Sequence, residues 1–531
     1  MVAGVELDYN TNASAIQMAE TIMGNGVTVV DASYTGSSYS SAIYSNGDTV
    51  SDYVTPGDTG VIFSTGSATR FTNDDEDESN LSSQTSVNSN GPNGDPGFNA
   101  LVGGQTFDAS YIDIDFIADP NMDTMTMQFV FSSDEYPEYS NSIYNDTVGV
   151  WINGVNVPLA VGDGSTAVQS VNQNNNINLY NDNTQDQYNT EMDGFTITMT
   201  LTIPITPGGL NSIRIGIADT ADSNYDSNLL IAADSVQAML VADQDYVTMR
   251  EGVTKTVDIL GNDVNNTTGS LVITHINGIE VNGTDPITLP TGQIVVVNPD
   301  GTIDITTDAD FEVSSFTYQI DAVDSNGDVL ETDVGFVTVE TIPCFVAGTM
   351  IETDTGPRPV EALVPGDLVL TRDDGLQPLR WTGQRQVPAT GKMAPIRIAA
   401  NALGQHDTVM LSPLHRVMVS DAMAELMFGE AEVLVAARDL VNDTTIRPAP
   451  GGEVTYVHLL FDQHQVIYSD GLATESFLPG PQTSKSFEAE IVDEICTLFP
   501  ELDPVSGDGY GPAVRPLLKR YEAEALLRRV A

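Results

Sequence analysis

Cys344 sits at the seam between two chemically different parts of a 531-residue chain that holds only one other cysteine, Cys496. A thiol attacks as its thiolate, and at an ordinary pKa of about 8.5 only about 3% of it is ionised at pH 7. Chemistry at Cys344 therefore needs a base beside it or a depressed pKa. Four of the five histidines, His406, His415, His458 and His464, follow the seam. A Cys–His pair would suit a protease acting in trans, but Cys344 opens a domain, whereas a cleft nucleophile lies inside its fold. A second set of reactive side chains lies upstream. Asp134, Glu135, Asp146, Asp219 and Asp222 occupy polar loops at strand ends. Hard cations take six to eight oxygens, often from such loops, so these five are candidate calcium ligands. The alternative is a solvated acidic loop set with local Asp and Asn turns. No Asp-x-Asp-x-Asp-Gly loop is present to sharpen the choice.

The charge divides at the same seam. Residues 1–343 carry 4 basic and 49 acidic side chains, a balance of −45, and residues 344–531 carry 15 and 26, a balance of −11. Phosphate backbones need clustered Lys and Arg, which argues against nucleic acid as a partner. An anionic membrane surface is disfavoured for the same reason. Two cysteines build no disulfide framework. No apolar run of about 18 residues predicts a membrane span. The first basic residue is Arg70, so no basic region of a cleavable signal peptide is expected. The chain is expected either to stay in the cytosol or to leave by a route that reads no such signal.

The elements that must position these residues are mostly strands. One helix is predicted over Asn12 to Met23, capped by Asn12, with Ile16, Ala19 and Met23 on one face and Gly24 at its end. Val27–Val30 and Val61–Phe63 read as buried strands. Tyr111–Phe116 and Met125–Phe131 alternate with period two, and Phe195–Ile203 and Ser212–Ala218 follow. The Asn-rich stretch from Asn172 to Asn189 reads as a loop. Residues 1–242 are thus expected to form a jelly-roll-like β-sandwich. Residues 243–342 hold short strands with regular turns, including the hairpin Ile294–Val297, Asn298-Pro299-Asp300-Gly301, Thr302–Ile305, and suggest an Ig-like sandwich. The whole chain is expected to be mainly β.

Ser133-Asp134-Glu135-Tyr136-Pro137-Glu138-Tyr139, Asn145-Asp146, Asp193-Gly194-Phe195 and Ala218-Asp219-Thr220-Ala221-Asp222-Ser223-Asn224-Tyr225-Asp226-Ser227 resemble the motifs of the bacterial choice-of-anchor L domain. The first motif departs mildly, with Asp134 where the family has Glu. The resemblance covers roughly residues 1–240 and implies an extracellular or surface module, without naming a ligand. Residues 243–342 resemble bacterial cadherin-like repeats, here in one copy, with a spacer role expected.

Downstream of Cys344-Phe345-Val346-Ala347-Gly348-Thr349 lie Val364-Pro365-Gly366-Asp367, Leu411-Ser412-Pro413-Leu414-His415 and His458-Leu459-Leu460-Phe461-Asp462-Gln463-His464. Gly471-Leu472-Ala473-Thr474-Glu475-Ser476-Phe477 closes the series. This ordered set closely resembles the Hint domain of Hedgehog C-terminal domains and inteins, over residues 344–480. It looks most like the bacterial branch that ends in Glu-Ser-Phe. Residues 481–531 read as a short helical tail of that branch, with Ile491, Ile495 and Leu498 as a buried stripe and Cys496 as a core thiol.

The resemblance implies an all-β fold and an N-to-S acyl shift in cis at the Pro343–Cys344 bond. Cys344 is then the nucleophile. His415 matches the histidine that activates the scissile amide, and Ser412 stands for the family's Thr three residues before it. His464 matches a later position that assists. His406 and His458 have no firm counterpart and are expected to be packed or surface histidines. Where inteins end in His-Asn, this chain has Glu475-Ser476. Serine forms no succinimide, so full splicing is not expected, and water or an amine would resolve the thioester. No cofactor is implied for the cleavage, and calcium remains an expectation for residues 1–343 alone. The competing expectation is an extracellular adhesion protein, of unknown ligand, with an inert Hint domain.

Overall fold

The computed structural model describes residues 2–478 apart from 76–77, 141, 162–163, 250–252, 308–312, 342–343, 390–393 and 443, together with 511–518, 523 and 526. The chain divides into two compact units. The first comprises 1–245, 258–304 and 314–338, and the second comprises 246–257, 305–313 and 339–531. Among the described residues the structure is mainly β, with few and short helices. None of those helices is long and apolar enough to cross a membrane.

The first unit begins with the predicted helix, which spans Ala15–Ile22. Its cap is Ser14 and not Asn12: the Ser14 hydroxyl accepts from the Gln17 amide at 3.3 Å, and Gln17 Oε1 accepts from the Ser14 amide at 2.9 Å. This reciprocal pair satisfies two amide groups that a helix start leaves open, and so outcompetes a cap two residues earlier. Met18, Ala19 and Ile22 carry the helix's buried face.

Two antiparallel sheets follow, and they share one core. Ile112, Ile114, Phe116, Ile213, Ile215 and Ile217 of one sheet meet Met125, Met127, Phe129, Phe131, Leu229 and Ile231 of the other. Burying a side chain of this size contributes about 1.5–3 kcal/mol. The strand Thr124–Ser133 is buried on both faces, because Val130, with Phe71, Phe195 and Leu230, fills a second cluster behind the sheet. The expected strand over Phe195–Ile203 is two pieces, Gly194–Thr196 and Met199–Pro204, both paired with Thr124–Ser133. Val27–Val30 belongs to Val27–Thr35, a half-exposed strand with Val30 on the solvent side. The Asn-rich loop holds a short strand of its own, Tyr180–Asp182. In the Ig-like region Ser270–Ile276 pairs antiparallel with the strand Val313–Val323, and the turn closes through Asn298, whose amide donates to Thr302 O at 2.8 Å.

The second unit contains two further antiparallel sheets. In one, the short strand Phe345–Val346 lies between Glu453–Leu460 and Val409–Leu411. In the other, Val466–Ser469, Leu472–Glu475, Arg416–Ser420 and Glu432–Ala436 lie side by side. Phe345, Leu411, Val417, Val435, Val457, Leu459 and Ile467 join the two into one core, with Leu518, Ala523 and Leu526 of the tail packed into it. The predicted stripe Ile491, Ile495, Leu498 and the neighbouring Cys496 lie outside the described residues.

Candidate active site

Strand register builds the site around Cys344. Phe345 stands opposite Val457 on one side and Leu411 on the other. One residue back along both antiparallel ladders, Cys344 falls opposite His458 and Ser412. The Cys344 amide N–H donates to Ser412 Oγ at 2.7 Å, and the Ser412 amide donates to Cys344 O at 3.0 Å. The thiol Sγ lies 3.3 Å from His458 Nε2. Cys344 is 3% exposed and packs with Val346, Ala389, Val454 and Tyr456. A neutral imidazole with Nε2 unprotonated accepts from such a thiol and can take its proton. Pro343 lies outside the described residues.

His458 is one of the two histidines, with His406, that sequence reasoning left without a role. Its position follows from a cross-strand pairing over 114 residues of chain, which local periodicity does not reveal. A usable signal was present nonetheless. Once Cys344 and Tyr456-Val457-His458 are both read as strand, two-residue alternation puts His458 and Tyr456 on one face. The His458 ring also lies 5.9 Å from that of Phe477, the last residue of the Glu-Ser-Phe motif.

His415 lies one turn beyond Ser412. Its amide donates to Ser412 O at 3.1 Å, and its ring sits 4.3 Å from the Phe345 ring. Neither ring nitrogen meets a partner at hydrogen-bonding geometry. Burial lowers its pKa to about 4, against the opposing pull of Glu475's negative charge, while the Arg416 charge lowers it further. His415 therefore rests as neutral imidazole at pH 7.

Glu475 forms a second layer. The Arg416 amide donates to its Oε1 at 2.8 Å, and the Arg416 guanidinium lies 3.6 Å from Oε2. His464 Nε2 is also 3.6 Å from Oε2, while His464 Nδ1 accepts from the Val514 amide at 3.1 Å. Burial would raise the carboxyl's pKa, but the Arg416 charge, His464 and His415 outweigh it and hold it at about 2. His464 thus faces Glu475. Ser476 is tied into the fold, its hydroxyl accepting from the Gln465 amide at 2.9 Å. His406 serves its own loop, with Nε2 accepting from the Leu403 amide at 3.1 Å.

The acidic residues of the first unit come together in two groups. Glu135, Asp146 and Asp219 are buried at adjoining strand ends, and Asp222, half-buried, acts on the first two. Asp134 turns the other way, toward Thr85 and Asp193. Burial raises the pKa of Asp134 to about 9 and, with the charge of Asp146, that of Glu135 to about 10. Asp226, overlooked in the sequence, is buried beside Gly66 and accepts from the Val87 amide at 2.8 Å. Among the described residues no group of three or more acidic, cysteine or histidine side chains is arranged to hold a metal ion.

Three known families match successive parts of the chain. The choice-of-anchor L domain matches residues 6–237, the bacterial Ig domain 237–340 and the Hint domain 343–481. Among solved structures, the gp41-1 intein is 12% identical, covers 25% of this chain and 97% of its own, and has a TM-score of 0.17. The pilus backbone RrgB from Streptococcus pneumoniae is 11% identical, covers 77% of this chain and 93% of its own, and has a TM-score of 0.12. At such scores neither likeness carries weight. A search of the curated proteins finds no match. The chain is a multidomain β protein made of a choice-of-anchor L domain, a bacterial Ig domain and a Hint domain.

Proposed function

We propose that the Hint domain breaks the Pro343–Cys344 peptide bond in cis. His458 takes the thiol proton, and Sγ attacks the Pro343 carbonyl carbon. The tetrahedral adduct collapses with rupture of the C–N bond, and the Cys344 nitrogen leaves as an amine carrying the proton lifted from the thiol. Residues 1–343 are then held as a thioester. Water or an amine attacks the same carbon, regenerating the thiol and releasing residues 1–343 as an acid or an amide. An amide resists this because its resonance is worth about 18–20 kcal/mol as a rotation barrier. Ser412, bonded to the scissile N–H, orients that nitrogen. His415, beside the scissile amide, assists its departure. His464 acts at one remove, by holding the Glu475 carboxylate in place.

The observation that carries this reading is the double contact of one residue: Cys344 Sγ at 3.3 Å from His458 Nε2, and Cys344 N at 2.7 Å from Ser412 Oγ. With Ser476 in place of Asn, cleavage or transfer ends the reaction without splicing. Residues 1–343, as a choice-of-anchor L and Ig pair, would be the secreted or surface-exposed part, adhering to a matrix or partner. The test is the intact mass of the purified chain over time, with and without dithiothreitol. A fragment ending at Pro343, absent from Cys344→Ala, is expected. A full-length mass that persists in both conditions would overturn the proposal and leave a binding protein with a silent Hint domain.

A further inference from the structure

We propose that residues 514–518 act as a strap that sets the rate of the self-cleavage proposed above, with Val514 and Arg515 as positioning residues for the His464–Glu475 layer; the inference rests on that reading of Cys344. The segment lies beyond the Hint match, which ends at residue 481. It joins the Hint domain as an added strand. Glu432–Ala436 is the outermost strand of its sheet, and such an edge presents backbone groups with no ladder partner. Leu434 pairs in parallel with Leu517: the Leu434 amide donates to Pro516 O at 2.9 Å, and the Leu518 amide donates to Leu434 O at 2.9 Å. Leu518, buried in the core, anchors the far end.

Arg515 fixes the near end. Its Nη2 donates to Asp373 Oδ1 and to Glu432 Oε2, both at 2.8 Å, and its Nε donates to the same Glu432 oxygen at 3.0 Å. Its Nη1 donates to Val514 O at 2.9 Å. A guanidinium spread over two carboxylates and a carbonyl is held in one orientation, which an ammonium at this position would not be. The backbone so held points the Val514 amide at His464 Nδ1, 3.1 Å away. An Nδ1 that accepts carries no proton, so the proton of the neutral ring is on Nε2, 3.6 Å from Glu475 Oε2. Both side chains are buried. Glu475 is faced by Arg416, His464 and His415, and its charge supports a proton on His415. Contacts thus run from Arg515 through Val514, His464 and Glu475 to the histidine beside the scissile amide. Any added strand would cover the sheet edge; a backbone N–H aimed at a buried imidazole is what links this one to the chemistry.

The experiment follows cleavage of the full chain by timed intact mass, with Tm measured on each preparation. Val514→Pro removes the amide N–H and leaves the His464 side chain unaltered. It should slow cleavage by about tenfold to a hundredfold, the scale on which a displacement far from the reacting atoms acts. The same substitution in a Glu475→Gln chain should slow cleavage by less than about threefold more, because its effect runs through a carboxylate already gone. Should Val514→Pro fail to fold, Arg515→Gln, which alters a partly exposed side chain and no backbone group, should give both results in its place. Slowing by the same factor in both backgrounds would show a tail that only stabilises the domain, and would overturn the proposal. So would a folded Val514→Pro or Arg515→Gln chain that cleaves at the wild-type rate. A wild-type chain that never cleaves overturns the self-cleavage reading, and this inference falls with it; wild-type cleavage with an indifferent tail overturns this inference alone.

Discussion

His458 meets the Cys344 thiol and Glu475 meets Arg416 and His464, so substitution separates the roles proposed for them. His458→Gln keeps a polar side chain opposite Cys344 but removes the base. Cleavage should slow by about 10²–10⁴-fold, the usual contribution of a positioned general base, which timed intact-mass measurements would record. Raising the pH should recover part of the loss, since more of the thiol then ionises unaided. Glu475→Gln should act differently. It leaves Arg416 and His464 without their carboxylate, and breaking a buried pair costs about 3–5 kcal/mol. It also removes the charge that supports a proton on His415. The expected result is a lower Tm for the Hint domain, with cleavage displaced to lower pH rather than abolished. A Glu475→Gln chain with unaltered melting would show that the carboxylate does not hold this layer together.

At the scale of elements, the site depends on two ladders meeting at Cys344. Gly383 pairs with His458 on the far side of the Glu453–Leu460 strand. A Cβ at Gly383 would come within 2.3 Å of the Trp381 ring, which is itself buried. Gly383→Ala must therefore push Trp381 aside or bend the strand that carries His458. Overpacking of this kind costs about 1–3 kcal/mol. The expected outcome is a chain that still folds, melts lower and cleaves more slowly, measured by calorimetry and intact mass on one preparation. A similar cost, about 0.5–2 kcal/mol, is expected for Ser14→Ala at the start of the first helix, with no effect on cleavage. Much of this architecture was legible beforehand. Alternation in Tyr111–Phe116 and Met125–Phe131 revealed strands because each has one apolar face toward a shared core. The cap moved from Asn12 to Ser14 because Gln17 sits three residues after Ser14, a pairing that residue type alone does not expose. Cys344, Ser412 and His415 were legible through ordered motifs. His458 was not, because the register of strands a hundred residues apart is set by packing and leaves no mark in either strand alone. The buried state of Glu135, Asp146 and Asp219 was hidden for the same reason, since polar residues in sequence read as solvent-facing loops.

At the scale of the molecule, carboxyl burial ties the first unit to pH. Asp333 is fully buried, with Oδ2 accepting from the Ala242 amide at 2.8 Å and Oδ1 from Gln128 Nε2 at 3.3 Å. Burial raises its pKa to about 7, against the lowering effect of the Ala242 and Val334 amides and of Thr126 and Gln128. The native state therefore keeps this proton between about pH 4 and 7, where the unfolded chain has lost it. Its stabilising contribution is complete below about pH 4 and is lost as pH rises through about 7. Asp333→Asn should match the wild type near pH 4 and exceed it by roughly 2–4 kcal/mol at pH 8, as read from denaturant unfolding at both values. An equal difference at the two pH values would refute it.

The strand Phe345–Val346 has neighbours that are made much later than itself. His458 leaves the ribosome 114 residues after Cys344, which at about 5–20 residues per second is on the order of ten seconds. Until then the thiol lacks its contact with His458, and its peptide nitrogen waits for Ser412 to be positioned by the same sheet. Under the proposed chemistry the nascent protein would thus carry its own clock: residues 1–343 would be made, and free to fold, before the bond that joins them to the rest could be cut.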